Sequence, residues 1–198
     1  MTAAASPVPE RYDVRTIVGG GIALGALTTV GVTVFALLSR ALTGTAEVLT
    51  QAVLVIAGGA VFSYLPSAWV RPRGADAIAW ASMLGLLGAA AFTVFDTALL
   101  RPLDLYHWTW DEIGGGSGFW YVPVWWMGSA FLAWLGGMIT ARTGAPLTAG
   151  AQTAGLAVVL FAIIAATGIA PFHAAVAALA LTIALVIHVP LASVLSRG

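Results

Sequence analysis

Six long apolar runs follow one another along this 198-residue chain, and the short segments between them collect Arg, Pro, Gly and acidic residues. The runs predict helices over Thr16–Ser39, Val48–Trp69, Ala77–Leu100, Phe119–Ala141, Leu147–Ile169 and Phe172–Leu195. Each holds about 22 to 24 residues, roughly 33–36 Å of helix, enough to cross a hydrocarbon core of about 30 Å. The connections Arg71–Asp76 and Arg142–Pro146 are short and carry the residues that end helices at a water interface. The turn Ile169–Ala170–Pro171–Phe172 is tight and predicts an antiparallel hairpin of the last two helices. A single connection is long, Arg101–Gly118, with Asp104, His107, Asp111, Glu112 and the run Gly114–Gly115–Gly116.

Composition agrees with that pattern. Hydrophobic residues make up 60% of the chain and charged ones 8%, with a mean hydropathy of +0.97. A soluble domain of this size cannot hide so much apolar surface, so the expected class is an all-α polytopic membrane protein with six transmembrane helices in one bundle. Residues 1–15 read as a polar N-terminus and 16–195 as a single transmembrane domain. The first helix follows without a small-residue cleavage pattern and reads as retained.

Charge then orients the bundle and removes several function classes. Arg11, Arg15, Arg71, Arg73, Arg142 and Arg197 fall at one end, Arg40 and Arg101 at the other, which places both termini in the cytoplasm. Net charge is zero and no basic stripe exists, so no nucleic-acid partner is expected. Cys is absent, which excludes disulfides, thiolate metal sites and Cys nucleophiles. Lys is absent too, which excludes Schiff-base cofactors and a P-loop lysine. No cofactor is expected. Abundant Ala, Gly and Val without Lys suggest a GC-rich bacterial genome, hence an inner-membrane location.

The candidate chemistry is sparse. Gly21 and Gly25 form a GxxxG pair, and Gly58–Gly59, Gly85 with Gly88, and Gly136–Gly137 thin other helices for close packing or a protomer contact. Asp96 is the one acid well inside a predicted span. Either it caps the long loop and meets Arg101, or it faces a cavity and reads a lipid headgroup. Gln51 and Gln152 pose the same choice between helix bridging and recognition. His107, His173 and His188 fall in no metal-ligand spacing, so no metal site is expected, and interfacial or helix-bridging roles suit them better. The cluster Asp104, His107, Asp111 and Glu112 sits in a glycine-rich loop, a poor setting for a preorganised site. Tyr106, Trp108, Trp110, Trp120, Tyr121, Trp125 and Trp126 crowd one end of helices three and four. They make either an interfacial belt or a grip for a lipid.

One segment carries a family resemblance. Leu105–Tyr106–His107–Trp108–Thr109, a short glycine-containing loop, and Phe119–Trp120–Tyr121–Val122–Pro123 together resemble the insulin-induced gene protein (Insig) family. Gly128–Ser129 and Leu135–Gly136 sit near that family's Gly-Gly pair and Asn-x-Gly-Arg element. Ser129 replaces a Gly, the Asn is missing, and Arg142 lies beyond the family's Arg position. The whole looks like a bacterial, mycobacterial-type Insig homologue. The resemblance implies a non-enzymatic bundle with a lipid-accessible cavity, a homotrimer in bacteria, and a diacylglycerol-like or sterol-like guest. By position, Phe92, His107 and Trp120 or Tyr121 correspond to family cavity residues. Asp96 shares a helix face with Phe92.

The expected lipid-binding residues are therefore Gln51, Phe92, Asp96, His107, Trp120 and Tyr121. A membrane isomerase or cyclase acting on a polyprenoid, with Asp96 or Glu112 as acid, is the alternative. It lacks a second intramembrane carboxylate nearby. A small transporter is weaker still, without paired intramembrane charges or repeated broken helices.

Overall fold

The computed structural model of the chain describes residues 14–70, 75–105 and 121–195. Every span predicted from the apolar runs is a helix. They are α1 (Val14–Ala41), α2 (Gly44–Trp69), α3 (Ala75–Phe95, continuing as a π-helical turn over Asp96–Leu100), α4 (Tyr121–Thr143), α5 (Pro146–Thr167) and α6 (Ala174–Leu195). All six are long and apolar enough to cross a membrane. The protein is an all-α, six-helix membrane-spanning bundle, with no strand among the described residues.

Because each helix crosses once, α2, α4 and α6 run parallel to one another and antiparallel to α1, α3 and α5. The end where α1 begins and α6 finishes is called the terminal end here, the opposite one the far end. α2 threads the middle and touches all five other helices. On one flank α1 packs on α3 and α3 on α4; on the other α5 packs on α6. Two apolar cores result. Ile17, Leu24, Phe62 and Leu84 join α1, α2 and α3, while Ile56, Tyr64, Ile139, Phe161, Leu181 and Leu185 join α2, α4, α5 and α6.

The hairpin of α5 and α6 is looser than its sequence implies. α5 stops at Thr167 because Gly168 takes a left-handed φ of 65°, a conformation open to glycine at little cost. Pro171 then offers no backbone N–H to a new helix. α6 starts only after His173, whose Nδ1 accepts the Ala175 N–H at 3.1 Å. Phe172 folds back on Phe161, with ring centroids 5.9 Å apart.

Small residues set the closest helix contacts. A Cβ placed on Gly136 of α4 would lie 2.0 Å from the Ser63 carbonyl oxygen of α2. On Gly25 of α1 it would lie 2.6 Å from Ala91 Cβ and 2.8 Å from the Phe92 backbone nitrogen of α3. On Gly85 of α3 it would lie 2.5 Å from Ala133 Cβ of α4. Helices surrounded by lipid gain little by hiding apolar side chains from one another. Dispersion and Cα–H···O contacts at short backbone separation take over that role.

Candidate functional site

The terminal half of the α3–α4 pair leaves a groove of about 520 Å³ open to the surface. Small side chains from Ala75, Ala79, Ser82 and Ala130 line it, together with the larger Ile78, Met83, Leu86 and Trp134. Three causes produce it. Gly137 lets α4 lie against Ile78 and Ala81, Ser82 Oγ donates to the Ala130 carbonyl at 3.0 Å, and alanine fills too little of the space beside that contact. Trp134, 40% exposed, is stacked on Phe131 at 5.8 Å. From Ala75 to Leu86 the groove runs roughly 16 Å along α3 at 1.5 Å per residue, about the depth of one leaflet. Among the described residues no charged side chain lines it.

Further along the same helix pair Trp125 and Trp126, two of the crowded aromatic residues, reach α3, while Tyr106, Trp108 and Trp110 lie outside the described residues. Trp126 Nε1 donates to Thr93 Oγ1 at 3.0 Å, and that hydroxyl donates to the Ala89 carbonyl at 2.9 Å. Phe92 lies 5.9 Å from the Trp125 ring in a tilted pair. Phe92 is buried and is not among the groove residues.

Asp96 lies fully buried at the start of the π-helical turn. That turn bonds the Arg101 N–H to the Asp96 carbonyl at 2.9 Å, which places side chains five apart on one face. Arg101 Nε accordingly meets Asp96 Oδ2 at 3.2 Å. Of the two roles open to Asp96, the contact with Arg101 is the one seen. Arg40, at the end of α1, also donates to the Asp104 carbonyl. The far end of α1 is thereby tied to the segment following α3.

Gln51 joins two helices. Its Nε2 donates to Ser39 Oγ of α1 at 2.8 Å and to Glu47 Oε1 at 3.0 Å. It is not among the residues lining the groove, and its bonds make it a helix bridge. His107 and Trp120, with the loop residues Asp111 and Glu112, lie outside the described residues. So does the Tyr121 side chain, though its backbone begins α4. Among the described residues no three His, Cys, Asp or Glu converge as a metal site would require.

The polar arrangement that sequence reasoning did not assemble lies in the α2–α5–α6 core. Tyr64 Oη is 2.5 Å from Thr153 Oγ1, and Thr153 Oγ1 is 2.7 Å from His188 Nδ1. All three residues are buried. Tyr64 sits five residues before the end of α2 at Trp69, Thr153 seven after the start of α5 at Pro146, and His188 seven before the end of α6 at Leu195. Similar depth on three helices, five to seven residues from the same end, was the available signal. Gly150 allows the Tyr64 ring to lie along the α5 backbone, where a Cβ would touch it at 3.4 Å. One residue past His188, the Val189 carbonyl accepts from Arg142 Nη1 at 2.9 Å. A hydroxyl this close to an imidazole has the geometry of an activated nucleophile. Thr153 itself has no exposed surface.

Comparison of the chain with family models, with curated proteins and with solved structures returned no match.

Proposed function

We propose that this membrane protein is a non-enzymatic lipid-binding or lipid-sensing bundle of the Insig type, and that it holds a diacylglycerol-like or sterol-like guest within the membrane. The observation carrying this reading is the groove of about 520 Å³ between α3 and α4, in which no described lining residue is charged. That volume falls in the range of small-molecule sites, roughly 300–1,000 Å³. Its guest is held from the lipid side, along the flank of the bundle. Tails already in lipid gain little from apolar contact. Shape therefore selects the guest, through small residues facing Trp134 and Met83. An uncharged lining favours a guest whose buried portion is neutral. The sequence resemblance supports a homotrimer in a bacterial inner membrane, and the Arg distribution supports cytoplasmic termini.

Native mass spectrometry of the purified protein tests this reading. The wild-type chain is expected to carry a neutral lipid, and Ala79→Leu, which fills the groove, is expected to lose it while keeping the same oligomeric state. Equal lipid occupancy in both would remove the groove from the account. Wild-type protein free of copurifying lipid, and unable to take up added diacylglycerol or sterol, would remove the function.

A further inference from the structure

The Tyr64–Thr153–His188 chain has a direction, and that direction can be reversed. If Tyr64 donates to Thr153 and Thr153 donates to Nδ1, each hydroxyl hydrogen has an acceptor and the imidazole carries its proton on Nε2. A second proton on the ring converts Nδ1 from acceptor to donor. Thr153 must then donate toward Tyr64, and the phenol hydrogen loses the acceptor it had. A buried polar group without a partner is costly where no water replaces the bond. Among the described residues of the helices packed against α6, the imidazolium also meets no free counter-charge. α5 carries no titratable side chain, and α6 carries none except His188. α2 contributes Tyr64 and, at its far end, Glu47, which is already bonded to Gln51. α4 contributes Arg142, a cation bonded one residue from His188, and Tyr121 at its far end.

We propose that Tyr64, Thr153 and His188 form a proton-operated clasp that holds α6 and α5 on α2 while the imidazole is neutral and releases α6 when it is protonated. The clasp is not a conduction path. Beyond Tyr64 the core continues through Ala60, Ile56 and Ala52 on α2 and Ala157 and Phe161 on α5, which offer a proton no further carrier. A proton arriving from the terminal end therefore changes helix packing and goes no further. Pro190, two residues after His188, makes the release local. It cannot donate to the Val186 carbonyl, so the last turns of α6 are already weakly joined to the rest of the helix.

The absence of Cys makes a direct test simple. Spin labels at Val61 on α2 and Val194 on α6, both exposed, report the distance between the two helices in the full chain in nanodiscs. Between about pH 8 and about pH 5, the range in which imidazoles ordinarily titrate, the wild-type distribution is expected to lengthen and broaden by several ångström. His188→Gln, which cannot take a proton, is expected to keep one distribution at both pH values. His173→Gln, at the far end of α6, keeps the response. Thr153→Val breaks the chain without charge and is expected to show the acid distribution already at about pH 8. A wild-type distribution indifferent to pH, a His188→Gln protein that still responds, or a Thr153→Val distribution matching neutral wild type would each overturn the clasp.

Discussion

On the α1–α3–α4 flank the backbones of Gly25 and Gly85 lie against the next helix; on the α2–α5–α6 flank a chain of three buried side chains hydrogen-bonds across all three helices. In the first, Gly25 and Gly85 let backbones come so close that an added methyl would overlap atoms of the next helix. In the second, one tyrosine, one threonine and one histidine reach across three helices. Lipid leaves a membrane protein these two means of helix association, close packing and polar bonds. Their consequences differ. Close packing is insensitive to pH and to binding, whereas a hydrogen-bonded chain ending in an imidazole can change its state. The same contrast places the groove. Where α3 and α4 approach on small residues, the strip beside the contact is left shallow, with no charge among its described lining residues, and this is the strip proposed to take the guest.

Close approach can be broken most severely at Gly136, where α4 meets α2 between the two flanks. Its added Cβ would fall on the Ser63 carbonyl, and neither backbone can yield cheaply. Gly136→Ala is expected to destabilise the bundle by about 3 kcal/mol, read as a loss of folded protein in denaturant titration from detergent micelles. Gly25→Ala is expected to cost about 2 kcal/mol, because its three clashing neighbours, the Ala91 methyl, the Phe92 nitrogen and the Gly88 carbonyl oxygen, lie at 2.6–2.9 Å, less close than the 2.0 Å at Gly136. Thr153→Val probes the polar side, with an expected loss of about 1–2 kcal/mol as Tyr64 and His188 each lose their bond. Gly58→Ala is the control that sharpens the contrast. Nothing lies within 4 Å of the new methyl, so helix propensity alone acts and stability is expected to rise by up to about 1 kcal/mol. Equal losses at Gly58 and Gly25 would show that close approach is not what holds α1 to α3.

The spans were legible because a bilayer imposes one length on every helix, and six apolar runs met it. Helix pairing was not. The runs are apolar on all sides, so no face of α2 announces that it touches five neighbours. The interhelical role of Gln51 and the contact of Asp96 with Arg101 were each one of two readings open in the sequence. The structure shows these contacts, and the π-helical turn that aligns Asp96 with Arg101 has no recognisable sequence mark. His188 was read as interfacial or helix-bridging, and it does bridge α5 and α6. Its partners went unnamed because Thr153 and Tyr64 are mild residues, 35 and 124 positions away, and hydropathy barely registers them. The groove was hidden for a related reason. An empty strip arises from what alanines fail to fill, and the anticipated readers Phe92 and Asp96 lie elsewhere on the same helix.

The most direct measurement is photolabelling of the protein in native-like membranes with a diazirine-bearing diacylglycerol, followed by mapping of the labelled peptides. Labels are predicted to concentrate on the stretches holding Ala79–Leu86 and Ala130–Trp134, and to fall sharply in Ala79→Leu. Labels spread evenly over the exposed faces of α1 and α6, and unchanged by that substitution, would contradict a lipid held between α3 and α4.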